Sequence, residues 1–485
     1  MFFLCSVLSS CVDYNLFNNL KIYQVMISSF QDGDPSIGYG IGYGPSHHLG
    51  DLRGIIDALD YIKDLGFNTL WMTPVFDSTN GQGGKILQST GYFATNYFKI
   101  DPNFGDEKVF KELIDTAHSK GLYVLLDGVF GHHGGVTTPS PSGNLPQGGN
   151  NPVSYPGSLP YYSEVAKYWI ETYGIDGWRL DQCYQLNQNG HNYLHEIRQV
   201  VEAACDKRKA AGEKWGILGY VVGEDWNSAD LINRETYGQD GLRSAFDFPS
   251  RYNLVQGIAC EESGAGGRGA SALADVLKSN DQKGYTNTPV YPNLFVSNHD
   301  VWRFGNLIRS KYNEDQSSDS YWKRYKIALT TQCATSGPIT VYYGDEIGDI
   351  TDCWHSPSQT TCGPNTYSDN CARTDGKITN FNSREKDMHD FVKKLNKIRD
   401  ANPSLYRGTF SNTLVGNVLF NCKWDESTQN KVVYAANLDE HSNTVQYTVG
   451  GTKMTDLITG AVFEGKGGVY TITFDGLDCG LFLVE

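Results

Sequence analysis

The chain has 485 residues, 39% of them hydrophobic and 20% charged, which suits a large folded unit with an accessory one and excludes wholesale disorder. Its formal charge of −15 excludes the basic face that nucleic acid or an anionic membrane surface demands, and fits a neutral ligand. Eleven cysteines are too few for a disulfide scaffold and form no zinc-like CxxC pair.

Residues 1–11 (MFFLCSVLSSC) are apolar and small and read as the end of an export signal. Residues 8–11 resemble a bacterial lipoprotein box in which Cys11 would carry the lipid, although no Lys or Arg precedes it. The expected location is therefore outside the cell or, as a lipoprotein, at the outer surface or in the periplasm. No other stretch is long enough to span a membrane. Cys353, Cys362 and Cys371 cluster in one polar stretch, and Cys422 and Cys479 lie near the C-terminus. They read either as disulfides of an oxidising compartment or as buried thiols.

Residues 21–27 read as a buried strand, followed by a loop with Gly38, Gly40, Gly42 and Gly44. Asp51 caps a helix with Leu52, Ile55, Ile56, Leu59 and Ile62 inside, ended by Gly66. Residues 69–72 are a second strand, stopped by Pro74. Asp106 caps a helix with Val109, Phe110, Leu113, Ile114 and Ala117 inside. Residues 122–126 are a third strand, with Asp127 and His132 just beyond it. Residues 131–160 are rich in Gly, Pro, Ser and Asn and read as a loop excursion. The next helix carries Val165, Tyr168, Trp169 and Thr172, and Gly174 stops it. A short apolar strand then delivers Arg179 and Asp181 from its end. Residues two apart on a strand face one side, so both can face one cavity, where a cation keeps a neighbouring acid ionised.

Leu194, Ile197, Val200, Val201 and Ala204 mark a further helix. Residues 217–222 are a strand leading to Gly223, Glu224, Asp225 and Trp226, and residues 244–248 a weaker one. Residues 293–297 lead to Asn298, His299 and Asp300, and residues 339–343, the eighth strand, to Gly344, Asp345 and Glu346. A last helix carries Met388, Phe391, Val392, Leu395 and Ile398. Eight short strands alternating with helices or loops predict an α/β fold, a (β/α)8 barrel over residues 12–403 with a short insertion at 131–160 after the third strand. An open doubly wound sheet would need a Gly-rich phosphate turn, and the early glycines have neither that spacing nor an immediate helix. Alternating runs at 432–436, 445–448 and 470–474 predict a C-terminal antiparallel β-sandwich over residues 404–485.

Reacting groups of such a barrel gather at the C-terminal ends of its strands. Asp127, His132, Arg179, Asp181, Glu224, His299 and Asp300 all fall there. Each alone reads as a cap, turn or rim residue; together they point to chemistry. Glycoside hydrolysis needs two carboxyl groups in different states. Glu224, desolvated by Trp226, would hold a proton, while Asp181 beside Arg179 would stay charged and attack. Asp300 and His299 would hold hydroxyls and stabilise positive charge. The pairs His47-His48 and His132-His133 have no third ligand at matching spacing, so no catalytic metal is expected.

At these residues the chain resembles the α-amylase family of glycoside hydrolases, across both the barrel and the C-terminal β region. Four family motifs occur in order: residues 127–132 (DGVFGH), 177–181 (GWRLD), 223–224 (GE) and 295–300 (FVSNHD). The resemblance implies Asp181 as nucleophile, Glu224 as acid/base and Asp300 as transition-state stabiliser. It implies Arg179, His132, His299 and Asp127 as substrate-binding residues, Tyr92 as the stacking ring, and retention of configuration. Residues 33–37, 50–56 and 100–105 resemble neopullulanases and cyclomaltodextrinases. Those enzymes build their dimer with an N-terminal domain that has no counterpart before Lys21 here, so a monomer with an open cleft is expected. The implied activity is cleavage of α-1,4 links in starch or maltodextrins. A cyclomaltodextrinase, neopullulanase or transglycosylase on the same residues is the alternative, and a non-catalytic glucan-binding barrel the competing class. Gly131 stands where the family has a calcium-ligating Asn, so no cofactor is required and the usual calcium site is expected to be altered. Asp32 and Asp34 are a weak second candidate for metal, and Thr90 stands where many members have His.

Overall fold

The computed structural model describes residues 10–41, 45–278, 285, 290–351 and 369–485. Gly42, Gly44, Cys353, Cys362 and the leader-like stretch before Ser10 lie outside the described residues. Eight parallel strands form one sheet: β1 (Lys21–Val25), β2 (Thr69–Met72), β3 (Tyr123–Gly128), β4 (Gly177–Leu180), β5 (Tyr220–Gly223), β6 (Ser244–Ala245), β7 (Leu294–Phe295) and β8 (Ile339–Tyr342). Their order is β6-β5-β4-β3-β2-β1-β8-β7. The remaining seam is closed by a parallel bridge between Phe246 and Asn293, where Asn293 N–H donates to Ala245 O at 2.8 Å and Asp247 N–H to Asn293 O at 2.9 Å. The sheet is the expected (β/α)8 barrel, and this seam is its sparsest pairing.

Outside it lie α1 (Leu52–Asp64), α2 (Glu107–Ser119), α3 (Leu159–Tyr173), α4 (Leu194–Ala210), α5 (Phe248–Ile258), α6 (Asp319–Ala334) and α7 (Ser383–Ala401). The Asp51 side chain accepts from Gly54 N–H at 2.8 Å and the Asp106 side chain from Val109 N–H at 2.8 Å, so both caps form. Gly174 ends α3 at φ 82°, a left-handed conformation that glycine adopts freely. The weak strand at 244–248 shrinks to Ser244–Ala245 because Asp247 caps α5 and Pro249 occupies its first turn. The sequence reading missed α6, most of whose residues are buried, leaving no single apolar stripe to detect.

Strands β9 (Thr409–Val415), β10 (Val418–Asp425), β11 (Asn430–Asn437), β12 (Asn443–Thr448), β13 (Lys453–Asp456), β14 (Val462–Glu464), β15 (Val469–Phe474) and β16 (Asp478–Val484) follow. An antiparallel sheet ordered β9-β10-β11-β16-β13-β14 packs on the β12–β15 pair through Phe420, Tyr447, Tyr470, Phe474 and Phe482. Cys422 and Cys479 are separate thiols, and Cys479 Sγ lies 3.5 Å from Thr330 Oγ1 of α6. Cys11 is 5% exposed, with its thiol 3.6 Å from Glu202 O of α4.

Alternation along the strands decides what the barrel holds. Ile22, Leu125, Tyr220, Val222 and Phe295 point inward and make an apolar floor with Phe246. The residues two further on toward the C-terminal ends are Gln24, Asp127 and Glu224. They therefore share the inward face, one layer higher, at the mouth.

Candidate active site

Gly177 opens β4 where an added Cβ would lie 2.0 Å from Tyr220 O, so glycine lets β4 approach β5. The ladders pair Asp127 with Arg179 and Leu180 with Gly223. Asp181 N–H donates to Gly128 O at 3.0 Å and Glu224 N–H to Leu180 O at 2.8 Å. Register alone thereby sets the tips of β3, β4 and β5 side by side.

Arg179, 1% exposed, is the hub. Its Nη1 donates to both oxygens of Asp127, at 2.8 and 3.0 Å, and to Asp181 Oδ1 at 2.9 Å. Its Nη2 lies 3.0 Å from Glu224 Oε2. The guanidinium also sits over the Trp71 ring, 5.3 Å from its centroid. One cation cannot balance three buried carboxylates. Burial pushes Glu224 up to about 8; Arg179 opposes this, and the charges of Asp181 and Asp300 add to it. Burial pushes Asp181 up to about 7 and Asp127 up to about 6, again against Arg179. Their protons leave as a set, and Glu224 holds its own longest. Arg179 does not act alone on Asp181: it favours the ionised form, while burial and the charges of Asp127 and Asp300 oppose it.

Trp226 does not desolvate Glu224 as expected. Its indole is 41% exposed, stacks on Phe248 at 5.1 Å and donates to Tyr252 Oη at 2.8 Å. Glu224 is desolvated by its place above Val222 inside the mouth, where Gln182 N–H donates to Oε2 at 2.8 Å.

Across the mouth, burial pushes His299 down to about 3, so the ring is neutral. Gln24 Nε2 donates to Nδ1 at 2.8 Å, which leaves the ring proton on Nε2. That nitrogen faces Tyr92 Oη at 2.6 Å and Asp300 Oδ2 at 3.1 Å, and Tyr92 Oη donates to Asp127 Oδ2 at 2.7 Å. Arg373 donates from Nη2 to Asp300 Oδ1 at 3.0 Å and from Nε to His299 O at 2.9 Å. Burial works against ionisation of Asp300, but His299, Arg373 and Arg179 outweigh it and hold its carboxyl below the usual range. His132 lies with Nδ1 3.8 Å from Asp181 Oδ2, and burial lowers its affinity for a proton. Asp181 Oδ2 is buried and accepts no hydrogen bond from the described residues. A pocket of about 220 Å³ is lined by Ile86, Leu87, Tyr92, Asp181, Gln182, Asp300 and Arg373 among others.

The eight candidates Tyr92, Asp127, His132, Arg179, Asp181, Glu224, His299 and Asp300 therefore converge. Asp34 does not join them: its Oδ1 accepts from Ser36 N–H at 3.0 Å in a local turn, and Asp51 accepts from the backbone of Gly33 and Asp34. Sequence reading missed Gln24, Trp71, Gln182 and Arg373. Gln24 had a readable signal, a polar residue in a strand that is otherwise mostly apolar.

Gln185 packs directly against Gly131. An added Cβ there would lie 2.0 Å from Gln185 Oε1. Gln185 Nε2 donates to Asn151 Oδ1 and to Gln182 Oε1, both at 3.0 Å. Calcium sites gather roughly six to eight oxygens, with carboxylates among them. The residues here are amides with no carboxylate among them, and Gln185 Oε1 is left without a hydrogen-bond partner among the described residues.

Residues 24–139 and 160–404 match the family model described as alpha amylase, catalytic domain. The cyclomaltodextrinase of Thermoanaerobacter pseudethanolicus is 28% identical over 437 residues, covering 81% of this chain and 66% of that protein. Neopullulanase 2 of Thermoactinomyces vulgaris is 26% identical, covering 80% of this chain and 63% of that protein. The chain spans just under two thirds of the length of these two relatives. Among solved structures, AmyP in complex with maltose is 40% identical with a TM-score of 0.89, covering 97% of each chain. An AmyP variant in complex with maltotriose gives 40% and 0.90, covering 100% of this chain and 99% of that one.

Proposed function

The chain belongs to the α-amylase family, and from that premise we propose that it is a retaining glycoside hydrolase cleaving α-1,4-glucosidic bonds of starch and maltodextrins. The observation that carries the reading is the Arg179 clamp. Two carboxylates held by the two terminal nitrogens of one guanidinium lie close together. Glycoside hydrolysis needs two carboxyl groups facing one bond, and retention of configuration is what membership of the family implies.

In this reading the sugar ring stacks on Tyr92, and its anomeric carbon meets the buried Asp181 Oδ2. Glu224, still protonated at neutral pH, gives its proton to the bridging oxygen as the C–O bond breaks. Asp181 closes on the anomeric carbon and forms the glycosyl ester. Glu224 then takes a proton from water, whose oxygen attacks the same carbon and releases Asp181. Asp300 stays ionised through both steps and balances the positive charge developing on the ring. The neutral imidazoles of His132 and His299 contribute hydrogen bonds without repelling that charge.

The proposal extends to an exported monomer that needs no cofactor. A lipid anchor at Cys11 fits it less well, since the thiol packs against α4 and a lipid there would have to leave that site. Cyclomaltodextrinase, neopullulanase or transglycosylase action uses the same residues, and the names of the two relatives above favour keeping it as the second reading. Reducing-sugar release from soluble starch, with Asp181→Asn as control, tests the activity. Product sizes from starch, pullulan and cyclodextrins separate the two readings.

A further inference from the structure

A short helix, Gly84–Gln88, stands over the pocket and presents Ile86 and Leu87 to it. Neither side chain has found a core: both are only half-buried, opposite Asp181, Asp300 and Arg373. The segment is nonetheless firmly held. Gln82 N–H donates to Gly134 O at 2.8 Å, Gln88 Nε2 to Gly81 O at 2.7 Å, and Thr90 Oγ1 to Leu87 O at 2.6 Å. Leu87 folds back over Gly83, where an added Cβ would lie 2.2 Å from Leu87 Cδ1. Two half-buried aliphatic side chains on a pinned segment form a wall.

The chemistry tells which side the wall closes. Glu224 protonates the bridging oxygen, so the departing chain lies toward Glu224 and the exposed Trp226. Glu224 and Trp226 are not among the residues lining the pocket, whereas Asp181 and Asp300 are. Ile86 and Leu87 therefore border the space of the ring that Asp181 attacks, in a pocket that Trp226 does not line. The space there is about 220 Å³, below the roughly 300–1,000 Å³ of pockets for drug-sized ligands.

We propose that Ile86 and Leu87 limit the number of glucosyl units bound on the non-reducing side of the cleaved bond, so that the enzyme releases one- and two-unit products. This inference rests on the glucan-hydrolase reading above. Ile86→Ala/Leu87→Ala opens the wall, and Ile86→Trp thickens it. Each is compared with the parent protein by chromatography of the first products from maltoheptaose and soluble starch, after a thermal melt to confirm folding. The alanine pair should raise the ratio of products of three or more units to shorter ones roughly ten-fold, the size of effect a hydrophobic-pocket change has on specificity. The tryptophan variant should lower that ratio. Unchanged product sizes in active, folded variants overturn this inference alone. No sugar release by the parent protein overturns the hydrolase reading and this inference with it.

Discussion

Two buried glutamates end strands of this barrel in nearly the same sequence setting, Gly223-Glu224-Asp225 after β5 and Gly344-Asp345-Glu346 after β8. Burial raises the proton affinity of both. They differ in who satisfies their oxygens. Glu346 accepts from Tyr23 Oη at 2.7 Å, Tyr61 Oη at 2.8 Å and Gly344 N–H at 2.7 Å, all from the protein. Glu224 has the backbone of Gln182 and one nitrogen of an arginine shared with two other acids. A closed carboxylate braces a fold; one kept short of partners at the mouth of the barrel, beside Asp181, is available for proton transfer.

Breaking each glutamate should separate these roles most sharply. Glu224→Gln or Asp181→Asn should lower kcat by at least about 10³-fold with little loss of folding. Glu346→Gln should lower stability by about 1–3 kcal/mol and keep catalysis in the folded fraction. Starch assays paired with thermal melts read both.

The next effect is on pH dependence. Activity needs Glu224 protonated and Asp181 ionised, so kcat/KM should fall as pH rises through about 8 and as it drops through about 7, a narrow bell. The stability of the same site runs the other way from an ordinary salt bridge. The Glu224 carboxyl is raised in the folded state, so its contribution is complete below the usual carboxyl range and is lost as pH rises through about 8. Glu224→Gln should therefore melt a few degrees above the parent at about pH 9 and level with it near pH 4. The smallest expected effect concerns metal. EDTA should leave the melting temperature within about one degree, because Gln185 occupies the place beside Gly131.

Much of this was legible because inward alternation and strand ends are period-two facts. Ile22 and Gln24, Leu125 and Asp127, and Val222 and Glu224 announce floor and mouth in the sequence itself. Which glutamate is bare was not legible, since Tyr23 and Tyr61 reach Glu346 from far along the chain. Arg373 lies in a polar stretch without periodicity, and only the fold brings it to Asp300. The helix Gly84–Gln88 has too few residues, beside too many glycines, to show a pattern. Trp226 was misread because neighbours in sequence at a strand end diverge, and Phe248 offered its ring a better face.

The buried helix α6 has a consequence for the whole chain. Its Thr331 Oγ1 lies 2.7 Å from Tyr434 Oη, and Lys423 Nζ of β10 donates to Ala334 O at 2.9 Å and Leu405 O at 2.6 Å. Stripping away the C-terminal sheets would lay bare a buried flank of a helix whose polar side, Asp319, Lys323 and Lys326, already faces outward elsewhere. The two halves should accordingly melt in a single cooperative step, and a chain shortened to the barrel should aggregate rather than survive as an autonomous catalyst.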